Sequence, residues 1–135
     1  MENTPRDSRI NAIKVIYSCH MNDTKPEDVI PSIIDEANDT LAIKMALNVM
    51  SNIKEIDEII SNNLVGYSLN RLNVVDRSII ELATYEMMSD VAPAIAINEA
   101  LEITKSYTDV GDKKEVKFNN KVLDNIAKNL KNKEK

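Results

Sequence analysis

Tryptophan is absent from this chain, and phenylalanine, cysteine and histidine occur once each, as Phe118, Cys19 and His20. A lone cysteine excludes an intrachain disulfide and fits a reducing cytoplasm. Cys19 and His20 are neighbours, but without a second thiol or imidazole a zinc site would have to be completed by carboxylates, so no metal and no other cofactor is expected. The same scarcity leaves no nucleophile–base constellation. With glycine only at Gly66 and Gly111 there is also no Gly-rich phosphate loop. No apolar run approaches the roughly 18 residues that cross a bilayer, and the N-terminus lacks the apolar core of a signal peptide. Neither catalysis nor a membrane partner is expected.

What is present is helical periodicity. Two glycines and four prolines in 135 residues leave long uninterrupted stretches, and isoleucine recurs at three and four rather than at two. The length fits one domain over 1–135, and this spacing makes it all-α. A first helix is expected from Arg6 to His20, burying Ile10, Ile13, Ile16 and Tyr17 and exposing Arg6, Arg9 and Lys14. Pro26 opens a second helix to about Ala37. A long third helix runs from Asp39 or Thr40 to Asn62 on the stripe Leu41, Met45, Val49, Ile53, Ile56 and Ile60, with Glu55, Asp57 and Glu58 on a solvated face. A turn or short helix surrounds Gly66. Leu72, Val75, Ile79, Leu82 and Tyr85 mark the next helix, with Asp76 and Arg77 on its far, wet face and Glu86 close to the apolar stripe. Pro93 ends that helix, and Asn98 is placed to cap another that carries Ala100, Ile103, Thr104 and Tyr107. A loop broken at Gly111 precedes a last helix on Phe118, Val122, Leu123, Ile126 and Leu130. Glu86, Asn98 and Glu99, near the Pro93 elbow, are read as hydrogen-bond partners for interrupted backbone, not as catalytic groups.

The formal charge of −5 conceals a division. Residues 1–20 hold three basic against two acidic side chains, residues 113–135 eight lysines against three acids, and residues 21–112 six basic against seventeen acidic. Basic ends and an acidic body suit one surface for phosphates and another for a basic protein, although a lysine-rich end is also the ordinary composition of a solvated tail.

Three motifs in register resemble the NusB family of bacterial transcription antitermination factors: RL-x-x-VDR-x-I-x-x-LA-x-YE at Arg71–Glu86, then Pro93 ahead of Ile97-Asn98-Glu99-Ala100 and Glu102, then KF-x-N-x-VLD at Lys117–Asp124. Arg6-x-x-Arg9, before a helix carrying Ile16 and Tyr17, continues the likeness at the N-terminus. The resemblance implies about seven helices in two packed helical subdomains, about 6–65 and 66–131, with the first and last helices brought together. It implies joint binding of boxA-like single-stranded RNA with the ribosomal protein NusE, docking on the RNA polymerase antitermination complex. Some members self-associate, so a homodimer is admitted. The RNA-binding set it implies is Arg6, Arg9, Lys14, Tyr17, Lys117, Phe118 and Asn120. Cations would neutralise phosphates, an amide would read a base edge and rings would stack on unpaired bases, core packing being the competing use of both rings. Asp76 and, more weakly, an exposed Ile80 are placed at the NusE surface. This sequence departs from the family at Asp7 and Ser8, where more basic residues are common, at Asn119 in place of valine and at Lys121 in place of glycine. Two other readings stand beside this one: an adaptor that keeps the NusE surface without RNA binding, and a relative of the helical domain at the N-terminus of ribosomal RNA cytosine methyltransferases.

Overall fold

The computed structural model describes residues 3–35 and 37–133. These residues form seven α-helices: α1 Pro5–Asn22, α2 Pro26–Ile33, α3 Thr40–Ser51, α4 Ile53–Asn62, α5 Val74–Met88, α6 Pro93–Tyr107 and α7 Lys114–Lys133. A 3-10 turn at Leu69–Arg71 precedes α5, and no strand occurs among the described residues. The protein is all-α. It forms two compact units, one running to Ile53 and the other from Lys54.

In the first unit α1 packs on α2 and α3, and α2 packs on α3. Ala12, Ala42 and Ala46 are fully buried beside Val15, Ile16 and Val49, small side chains that let helix backbones approach closely. The helix starts are set by side-chain caps. Thr4 accepts the Asp7 N–H at 3.1 Å and Asp7 accepts the Thr4 N–H at 3.0 Å, a reciprocal capping box ahead of α1. Asp39 caps α3 by accepting the Ala42 N–H at 3.1 Å. The Asp39 carboxylate also accepts from Ser8 Oγ at 2.6 Å, Asn11 Nδ2 at 2.9 Å and Asn3 Nδ2 at 3.0 Å, which ties α1 to the start of α3. Burial alone would raise its pKa; these hydrogen bonds outweigh it and hold the group below the usual carboxylate value. Cys19 is buried on α1, and burial together with the Glu27 carboxylate pushes its thiol pKa up.

Three expectations for this part of the chain are corrected. Helix α2 ends at Ile33, short of Ala37, because Pro31 removes one rung of its ladder and the chain then turns at Asp35, whose carbonyl accepts the Asn38 and Asp39 N–H groups. The long helix to Asn62 is two helices. Asn52 leaves helical geometry (φ −114°, ψ 18°), and its side-chain amide donates to the Asn48 carbonyl at 2.8 Å, competing for an acceptor of the helix ladder. Leu41, on the first turn of α3, is exposed, so the core stripe begins at Met45.

In the second unit α5, α6 and α7 pack against one another. From Ser78 to Thr84 every residue of α5 is buried, including Glu81 and Ile80. Ser78 and Thr84 satisfy their hydroxyls by donating to carbonyls one turn back, at 2.8 and 2.7 Å. The elbow after α5 is made by Asp90 in the left-handed region (φ 72°), while the Glu86 carbonyl accepts the Ser89 and Val91 N–H groups. Pro93 opens α6 at its first turn instead of merely ending α5, since a helix start has no use for the N–H that proline lacks. Asn98 therefore lies inside α6, exposed, and Ala92 occupies the cap position.

Asp39→Ala is expected to remove a helix cap and leave the Ser8 hydroxyl buried without its acceptor, costing about 2–4 kcal/mol in chemical denaturation. Because the folded pKa of Asp39 is depressed, its contribution is present above the ordinary carboxylate pKa and is lost as pH falls through the folded value. Urea midpoints measured from pH 5 down to pH 2.5 should fall more steeply for the natural protein than for Asp39→Asn.

Candidate nucleic-acid interface

Helix α1 offers one cationic face. At 100° per residue Arg9, Arg6, Tyr17 and Lys14 fall within an arc of roughly 140°. Arg6 and Lys14 are exposed and Arg9 is half-buried. Tyr17 was expected in the core, yet its residue is 37% exposed; it sits three turns beyond Arg6 on the same side of the helix, which turns the ring toward solvent. Positions 7 and 8, where cations were missing, serve the fold: Asp7 completes the cap of α1, and Ser8 is buried against Asp39.

Lys117, Phe118 and Asn120 are placed by α7 in the second unit. Lys117 and Asn120 lie one turn apart and exposed, whereas Phe118 turns inward and is half-buried. Its ring meets that of Tyr67 at 5.6 Å between centroids, with the planes tilted by 59°, within the centroid separation of favourable aromatic pairs. Tyr67 donates its hydroxyl to the Arg71 carbonyl at 3.3 Å and remains partly exposed, so the pair presents an aromatic edge beside Lys117.

Neither residue expected at the NusE surface is on a surface. Ile80 is completely buried and Asp76 is 7% exposed. Asp76 Oδ1 accepts from Thr108 Oγ1 at 2.8 Å and from Asn119 Nδ2 at 3.2 Å, and Asn119 Nδ2 also donates to Thr104 Oγ1 at 3.1 Å. This network joins the start of α5, the end of α6 and the first half of α7. Asn119 is the member that sequence reasoning missed. The signal was available: position 119 stands three, four and seven residues before the apolar Val122, Leu123 and Ile126, so a polar side chain there had to be buried and bonded.

Arg77 was placed in water and instead bridges two carboxylates. Its Nη2 lies 3.0 Å from Asp57 Oδ2 and its Nε 3.3 Å from Glu81 Oε2, linking α4 to α5. Asp57 Oδ1 is buried without a hydrogen-bond partner, and the Glu81 side chain has no exposure. One guanidinium cannot neutralise both the buried Glu81 and the half-buried Asp57 carboxylates. Burial first, then the Glu81 carboxyl, pushes Asp57 up to about 7 against the opposing pull of Arg77. Burial raises Glu81 as well.

Among the described residues the only cluster of possible metal ligands is Asp109 and Asp112, in the loop before α7, with Glu115 in its first turn. Asp109 and Asp112 already accept the backbone N–H groups of Lys113 and Lys114 at 2.9 and 3.0 Å. No helix among those residues is long and apolar enough to cross a membrane.

Two all-helical units, one bearing a cation-rich helix face and the other exposed lysines beside an aromatic pair, describe a small helical binding protein. The NusB family model matches residues 6–128, and the chain belongs to the NusB family. It is similar to the transcription antitermination protein NusB of Listeria innocua serovar 6a, at 36% identity over 124 residues that cover 90% of this chain and 94% of that protein. Among solved structures it is similar to T. maritima NusB, with a TM-score of 0.80, 36% identity, and coverage of 95% of this chain and 93% of that one. It is also similar to a chain in the crystal structure of antitermination factors NusB and NusE in complex with dsRNA, with a TM-score of 0.80, 26% identity, and coverage of 92% and 96%.

The Asp57 site has a consequence for pH. A carboxyl whose folded pKa is raised binds its proton more tightly in the fold, so stability is greatest below the unfolded pKa and declines as pH rises toward 7. Every tenfold gain in proton affinity on folding is worth about 1.4 kcal/mol. Asp57→Asn should flatten thermal midpoints measured between pH 4.5 and 8 and raise the midpoint at pH 8; an unchanged slope would place the titrating group elsewhere.

Proposed function

We propose that this protein binds boxA-like single-stranded RNA jointly with the ribosomal protein NusE, and that the pair docks on RNA polymerase in the cytoplasm to oppose termination, with no reaction catalysed by the protein. The observation that carries this reading is the face of α1. Arg6, Arg9 and Lys14 supply cations for phosphates, and Tyr17 supplies a surface ring between them for an unpaired base. Lys117 and Asn120 add a cation and an amide that can reach a base edge, while Phe118 sets the edge of the Tyr67 ring beside them. Support comes from relatives that are transcription antitermination proteins and from a similar chain in a complex that contains NusE and RNA.

The acidic side chains of residues 21–112 favour a basic partner through long-range attraction. With Asp76 and Ile80 inside the fold, that partner meets other side chains of the unit, and Asp76 acts on the contact by holding the helices behind it.

A second reading, the adaptor that binds NusE alone, is favoured by one observation. The two positions of α1 that lack cations are occupied by residues committed to the fold, so the cationic face is thin.

Titration of boxA-like RNA with and without NusE separates the two. In the RNA-binding reading Arg6→Ala and Arg9→Ala each weaken binding to all RNA sequences alike, and each lowers the slope of log K against log salt by about 0.7–1. NusE binding with no response to RNA would establish the adaptor instead.

A further inference from the structure

We propose that the lysine row along α7 is a second stretch of RNA contact, leading the single strand from the Lys117 end of the helix to an apolar cleft at Lys128. This rests on the RNA-binding reading above. Lys114, Lys117, Lys121 and Lys128 are all exposed and are separated by three, four and seven residues. At 100° per residue they fall within an arc of roughly 60°, and from first to last they span about 21 Å of helix axis. A stacked strand carries one phosphate per ~3.4 Å, so the row matches about six nucleotides. The opposite face of α7 is fixed inward by Val122, Leu123 and Ile126, which leaves the row pointing at solvent. Ion pairs between side chains of this unit, among the described residues, engage Arg77 and Lys105 and none of the row. Its one gap, between Lys121 and Lys128, is where Asp124 stands.

The row ends at a cavity. An open cleft of about 590 Å³ is lined by Met87, Val91, Pro93 and Leu130 together with Lys128, Lys131 and one carboxylate, Asp90, so Lys128 belongs to both features and the cleft's two lysines outnumber its single acid. Apolar side chains accept the face of an unpaired base while neighbouring ammonium groups hold its phosphate. Cations aligned along one axis and ending in such a cleft suit a strand of phosphates better than the scattered carboxylates of a folded protein. Lys121, in place of the family's usual glycine, gives this chain a phosphate contact in mid-row.

The test uses the full chain and two RNAs by fluorescence anisotropy: a boxA-like RNA of about twelve nucleotides, and the same RNA lengthened by about six uridines at its 5′ or 3′ end. At low salt one extension should tighten binding about tenfold. Lys121→Ala with Lys128→Ala should abolish that gain and lower the salt slope by about 1.4, with the short RNA bound as before. Thermal melting of this double variant should match the natural protein, since both side chains are exposed. Two results would overturn the proposal while leaving RNA binding intact: no gain from either extension, or a gain the double variant keeps. A variant that loses affinity for NusE but not for the longer RNA assigns the row to a protein and also overturns it. If the natural protein binds neither RNA, the RNA-binding reading fails first and this proposal with it.

Discussion

The carboxylate of Asp76 decides how the second unit is assembled. It lies at the start of α5, and its hydrogen bonds reach Thr108 at the end of α6 and Asn119 on α7. Asn119 donates to Thr104 as well, so one buried amide is committed to two neighbouring helices. Hydrogen bonds in a poorly hydrated interior are stronger and more directional than apolar contacts. They fix the rotation of α7 about its own axis. That rotation is what turns Lys117 and Asn120 outward and Phe118 toward Tyr67. The residue expected at a surface is thus the reason that a surface exists elsewhere.

Asp39 does comparable work in the first unit. Four donors, three of them side chains of residues 3–11, converge on its two oxygens, so the start of α3 and the start of α1 form one polar joint. A chain without disulfides has used buried carboxylates as its staples. The Asp57–Arg77–Glu81 group differs in kind: it holds more negative charge than its one cation balances, so proton binding completes it.

The helical class and most apolar stripes were legible because a 3.6-residue period is written directly in the order of isoleucines and leucines, whereas the number of helices came from the family resemblance. Ile56, Ile60, Ile79, Leu123 and Ile126 are inside as that period requires. What escaped was the polar interior. Asp76, Arg77 and Asp57 lie off the apolar stripes, and a stripe argument sends such residues to water, but α5 is enclosed on every side over much of its length. A helix with no wet face has no far side, and periodicity cannot reveal that. The break at Asn52 escaped for a related reason: the apolar spacing continues across it, and only the competition of one amide for a carbonyl ends the helix. On α1 the period placed Arg6 and Lys14 at the surface, with Arg9 only half-buried there, whereas Tyr17 was drawn into the core by its hydrophobicity although its angular position beside Arg6 argued for the surface.

Cys19 gives the molecule a built-in reporter. Its thiol is the only one in the sequence, is 4% exposed, and is held in its less reactive protonated form by burial and by Glu27. Thiolate chemistry requires both access and deprotonation, and neither is available while α1 is seated on its neighbours. An alkylating reagent therefore counts openings of the N-terminal helices one event at a time, with no engineered label and no interference from the other unit.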